Sequence, residues 1–162
     1  MGRAILSVIA GYLTMAVLVF VMFTAAYLAL GADRAFRPGS YEVSGSWLVL
    51  SFVVSLGAAI AGGAVCAAIA RRNAMAPKAL AAIVLVLGFL SAVPTVQARG
   101  EPLPERTAAV GNTEAMMNAR MPVWVALSNP IIGVLGVIAG SRLVQRPRSR
   151  AGRADSLPTE RE

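Results

Sequence analysis

The residues able to do chemistry are few, and most of them lie outside the apolar stretches. The chain has no histidine, which removes the commonest general base, the commonest transition-metal ligand and the usual sensor of pH near neutrality. Cys66 is the lone cysteine, so no internal disulfide and no multi-cysteine metal site can form. A reactive thiol needs an electropositive, accessible setting. Arg71 and Arg72 follow Cys66 closely, but its nearest neighbours are alanines. We expect a small buried residue, the usual fate of a free cysteine.

The carboxylates Asp33, Glu42, Glu101, Glu105 and Glu114 fall in two polar stretches, residues 31–46 and 97–121. Paired carboxylates can exchange protons or hold hard cations. These are scattered without a calcium-loop spacing, and arginines bring each stretch to zero net charge. They read as solvated loop charges. We expect no metal site, no cofactor and no enzymatic activity.

One polar point stands inside an apolar stretch, at Ser128-Asn129-Pro130. Pro130 has no N–H to give the carbonyl of Ala126, and a nearby hydroxyl or amide could satisfy that oxygen. Asn129 can pin helices together, a contact worth about 1 kcal/mol in a bilayer. It can also line a solute path. The bland role of interhelical pin is favoured on sequence alone.

The elements that must carry these residues are long and apolar. The chain has 162 residues, 57% hydrophobic and only 14% charged. Its apolar residues gather in four blocks, about residues 4–30, 47–70, 79–96 and 123–144. A membrane helix needs about 20 apolar residues, and a signal-peptide core runs to about 15 at most. The first block exceeds that limit, so a retained helix is expected. The fold class is therefore all-α. We expect an integral membrane four-helix bundle of two hairpins over residues 1–144, then a disordered, cytoplasmic, basic tail over residues 145–162.

On a helical wheel Ser51, Ser55, Ala58, Ala59, Gly62 and Cys66 share one face of the second block, and Val49, Val53, Leu56 and Ile60 share the other. Small residues let helix backbones approach in a bilayer. We expect the small face to meet other helices and the bulky face to meet lipid. In the fourth block Ala126, Asn129, Gly133, Gly136 and Gly140 share a face, and the last two have GxxxG spacing. The expected packing residues are Ser55, Gly62, Cys66, Gly133, Gly136 and Gly140. In the first block Ser7, Gly11, Thr14, Val21, Ala25 and Ala29 form the corresponding face, with Phe20 and Phe23 away from it. In the third, Ala81, Val84, Gly88, Ala92 and Thr95 form it, and Pro94 should kink or end the helix. Residues 106–120 could form a short interfacial helix. Trp47-Leu48-Val49-Leu50-Ser51 parallels Trp124-Val125-Ala126-Leu127-Ser128. The preference of tryptophan for interfaces already explains that match.

Charge sets the expected orientation. Arg3, Arg71, Arg72, Lys78, Arg142, Arg146, Arg148, Arg150, Arg153 and Arg161 lie on one side of the blocks. Arg34, Arg37, Arg99, Arg106 and Arg120 lie on the other. The positive-inside rule puts the richer side, with both termini, in the cytoplasm. Tyr27, Tyr41, Trp47 and Trp124 would form an aromatic belt at the outer interface. The tail lacks aromatics interleaved with its arginines. That argues against nucleic acid and for anionic lipids at the cytoplasmic face.

The composition, rich in arginine and alanine, suggests a bacterial inner-membrane protein. No ionisable group lies deep in any block, whereas proton-coupled carriers usually keep one there. The leading expectation is a non-enzymatic membrane module that packs with itself, as a homo-oligomer, or with a membrane partner protein. The alternative is a small carrier or channel for an uncharged or lipophilic solute. A membrane-embedded enzyme comes third.

Overall fold

A computed structural model describes residues 2–71, 73–98, 100 and 118–145, with the side chains of residues 32 and 33 outside the description. Of the interfacial helix expected within residues 106–120 only 118–120 are described, and they are not helical; the carboxylates Glu101, Glu105 and Glu114 and the tail beyond residue 145 lie outside the described residues.

Among the described residues there are four helices: α1 (Gly2–Ala35), α2 (Gly45–Ala70), α3 (Met75–Gln97) and α4 (Val123–Gln145). Each is long and apolar enough to cross a membrane. The first crossing stretch ends at Leu30, because Gly31 turns the chain out of helical geometry (φ 71°, ψ 170°) before α1 resumes to Ala35. α3 begins four residues earlier than hydropathy suggests. Asn73 Oδ1 accepts the N–H of Met75 at 3.0 Å, and Pro77 in the first turn gives up a donor that has no helical partner there. Pro94 does not stop α3. The helix runs on to Gln97, and Ala98 N–H donates to the Pro94 carbonyl at 3.0 Å.

The helices pack in the order α1–α2–α4–α3. The end where α1 starts and α4 finishes is here called the terminal end, and the opposite one the loop end. α2 is the central element, and glycines set its distance from both neighbours. A Cβ on Gly62 would strike Met15 of α1, and one on Gly11 would lie 2.8 Å from Cys66 Cβ. On the other flank a Cβ on Gly63 would strike the Val137 carbonyl, and one on Gly140 the Ile60 carbonyl. A Cβ on Gly136 would press on Ala59 Cβ. The backbones themselves are in contact, the close approach that small residues permit in a bilayer.

The α2–α4 contact is self-complementary. Trp124 lies 77 residues after Trp47. The same shift of 77 carries Ala59 onto Gly136, Ile60 onto Val137 and Gly63 onto Gly140. Gly63 meets Val137, Gly140 meets Ile60, and Ala59 meets Gly136. Each contact thus maps onto its own mirror, as across a two-fold axis between parallel helices. This arrangement overturns one expected face. Ile60 is half-buried with its carbonyl under Gly140, whereas Val49 and Val53 are well exposed as expected. α2 is flanked on two sides, so its packed surface is wider than one stripe.

In α1 the packed line is Ala4, Ser7, Gly11 and Met15, then Phe23 and Tyr27. Val21, Ala25 and Ala29 are exposed, so the expected face holds only in the first half of the helix. The second half turns its aromatics inward. Phe23 lies 5.8 Å from the Trp47 ring, and Tyr27 makes edge contacts with Phe36 and Trp47.

Residues 31–46 form a folded cap at the loop end. Tyr27, Ala35, Phe36, Tyr41 and Val43 make a small core of their own. Phe36 and Val43 pair antiparallel, and Glu42 pairs with Arg120. Arg37 N–H donates to the Glu42 carbonyl at 2.8 Å, and Arg120 N–H to the Tyr41 carbonyl at 2.9 Å. Tyr27 and Tyr41 therefore belong to the cap interior. Only Trp124, 58% exposed, has the outward position expected of an aromatic belt.

Candidate functional site

The second half of α4 is continuous with α2, but its first half leans on α3. Pro122 starts α4 by accepting the N–H groups of Val125 and Ala126. Ser128 Oγ donates back to the Trp124 carbonyl at 2.7 Å. That bond ties up the hydroxyl and leaves Asn129 as the free polar group of this turn. Pro130 is buried and packs on α3 at Gly88, where a Cβ would stand 2.7 Å from Pro130 Cγ. Gly133 does the same a turn later, receiving Val84.

α1 stands away from this contact. At the terminal end it touches α3 through Gly11 and Leu80. Towards the loop end a cavity of about 370 Å³ opens between them. Met15 and Val19 form the α1 wall, Ser55 of α2 lies at the back, and Val84, Gly88, Ser91 and Thr95 form the α3 wall. α4 contributes Ala126, Asn129, Pro130 and Gly133. Among the described residues no charged side chain lines it. The volume falls at the small end of the range for ligand pockets.

Asn129 Oδ1 is buried and has no hydrogen-bond partner among the described residues. It reaches no donor on another helix, so the pinning contact expected from sequence is not made in this arrangement. A buried acceptor left unpaired costs about 1–3 kcal/mol. Ala126, whose carbonyl loses its usual helical donor at Pro130, lines the same cavity. The lining is mixed: Asn129, Ser55, Ser91 and Thr95 bring polar groups into an apolar wall. A molecule that donates one O–H or N–H and buries an apolar body would satisfy it.

The other expected site residues fall in different places. Ser55 lines the cavity. Gly62 and Cys66 lie in the α1–α2 contact, Gly133 faces α3, and Gly136 and Gly140 face α2. Cys66 is fully buried, with its Cβ against Gly11, so its thiol is not accessible as a reactive one would be. Gly63 was not singled out by sequence, because it stands next to the chosen face and not on it. Of the expected loop carboxylates, Glu42 binds Arg37 at 2.9 Å with both side chains largely in solvent, an ion pair worth at most about 1 kcal/mol. Among the described residues no three acidic, histidine or cysteine side chains come together to hold a metal. Comparison with protein-family models, with curated proteins and with solved structures returned no match.

Proposed function

We propose that this is a small multi-pass protein of the bacterial inner membrane, with both termini cytoplasmic, that works by binding rather than by catalysis. Its guest is an uncharged, lipid-soluble molecule with a hydrogen-bond donor, held in the Asn129 cavity. The observation that carries this reading is the buried, unpartnered Asn129 Oδ1. An internal guest is the simplest donor, since bilayer hydrocarbon provides none. The uncharged lining fits a neutral body, and the gap between α1 and α3 gives entry from the membrane. Carriage of that molecule across the bilayer is the natural extension.

A second reading, a module that packs on itself or on a partner protein, draws on α1. Only 11% of its crossing stretch is buried, and Ile5, Ile9, Leu13, Val17 and Phe20 are all exposed. Lipid can cover that face equally well, so the cavity takes precedence.

The test is thermal melting of purified protein in a neutral detergent with 1-decanol or decane, which differ in one hydroxyl. The alcohol should raise Tm saturably and the alkane should not. Equal effects would mean general solvation of apolar surface, and would leave the packing reading in front.

A further inference from the structure

We propose that a second pocket, at the terminal end between α3 and α4, binds the phosphate of an anionic phospholipid, with Lys78 and Arg142 as its ligands. The inference rests on the chain crossing a bilayer, and not on the Asn129 cavity.

The pocket encloses about 330 Å³ and is lined by Lys78 and Ala81 of α3 and by Ile138, Ser141, Arg142 and Gln145 of α4. It brings two cations from different helices to one hollow. Among the described residues no acidic side chain lines it and neither cation has an ion-pair partner. An anion in the hollow would be shared by the two cations. Their chemistry suits a phosphate: the arginine fork can engage two oxygens, and the lysine supplies a point charge.

The walls point to a lipid rather than a free ion. Arg142 lies in the last turn of α4 and Lys78 in the first turn of α3, the depth at which these helices leave the apolar layer. Below them the pocket continues into Ala81 and Ile138, which suit an acyl chain. Ser141 Oγ already donates to the Ile138 carbonyl at 2.8 Å, so it does not compete for the anion. Basic pockets between membrane helices on the cytoplasmic side are recurrent headgroup sites.

The test titrates the full chain in neutral-detergent micelles with phosphatidylglycerol, phosphatidylcholine or inorganic phosphate, and reads Tm. Phosphatidylglycerol should raise Tm saturably, and the other two should not. Two charge-matched double variants separate a built site from a diffuse basic surface. Lys78→Gln with Arg142→Gln should raise the half-saturating phosphatidylglycerol concentration about 30-fold, the loss expected for two cations near a membrane surface. Arg3→Gln with Arg71→Gln removes the same charge at the same end and should change it less than about threefold at high salt, where distant charges are screened. Both pocket side chains are exposed, so the first double variant should melt normally without lipid, and Lys78→Arg should keep the lipid response. Equal weakening by the two double variants would overturn the site. So would a low Tm of the pocket variant without lipid. Protection by inorganic phosphate as strong as by phosphatidylglycerol would assign the pocket to a free anion.

Discussion

Glycine positions decide how closely α2 can be approached, and they differ sharply along one helix. Gly62 has Met15 and the Gly11 carbonyl where its Cβ would stand, whereas Gly57 has nothing within 4 Å. Overpacking a tight site typically costs about 1–3 kcal/mol. Gly62→Leu should therefore melt clearly lower than wild type in the same detergent, while Gly57→Leu should match or exceed it, since leucine is the better helix former. Equal melting of the two variants would show that α1 does not pack on Gly62. Ile60→Leu cannot serve as the neutral comparison, because Gly140 sits on the Ile60 carbonyl. The small residues of this face were legible from the helical repeat alone. What the repeat could not reveal was the second flank. Gly63 and Ile60 are one step around the helix, and only the position of α4 tells that they are covered. The cavity was half legible in the same way: Asn129 and Pro130 stand out in an apolar block, but whether an amide finds a partner depends on how far α1 stands from α3.

α2 and α4 are related along their seam by the shift of 77 residues, and the site lies where the residues on α4 depart from that relation. The α2–α4 seam keeps the exchange, with Gly63 against Val137 and Gly140 against Ile60. Gly63→Ala and Gly140→Ala should accordingly destabilise alike, each by about 1–3 kcal/mol, as read from paired melting curves. A cost for one alone would mean that the seam is not symmetric. The same shift sets Asn129 opposite Phe52 and Pro130 opposite Val53. One hairpin thus fills with an aromatic ring the place where the other leaves an amide. Phe52 stacks near Trp124, their centroids 6.0 Å apart. The loop-end cap was the least legible element. Phe36, Tyr41 and Val43 are single apolar residues among polar ones, without the periodicity that marks a helix or strand. They acquire a core because Gly31 bends the chain back over Tyr27. Phe36, only 3% exposed, should cost about 3 kcal/mol on change to Ala, whereas Glu42→Gln at the exposed ion pair should leave the unfolding free energy within about 1 kcal/mol of wild type.

For the whole molecule, four helices long and apolar enough to cross a membrane, together with the distribution of arginines, lead to an expected topology that can be checked directly. Reporter fusions after Asn73 and after Gln145 should read cytoplasmic, and one after Gly111 periplasmic, since the side bearing Arg3, Arg71 and Lys78 is the richer in positive charge. A periplasmic signal after Gln145 would contradict the even number of crossings. Within that frame the bundle is tight along α1–α2–α4 and open between α1 and α3, and the opening is lined by Asn129, whose Oδ1 is the one buried side-chain acceptor without a partner among the described residues. The central claim is that this oxygen waits for a guest. Asn129→Leu is its most direct test, in four melting curves: wild type and variant, each with and without 1-decanol. Removing an unsatisfied buried amide should make the empty variant at least as stable as wild type. Losing the acceptor should abolish the rise in Tm that the alcohol produces. The account is contradicted if the empty variant melts lower, which is the mark of an interhelical pin, or if 1-decanol stabilises the variant as much as it stabilises the native chain.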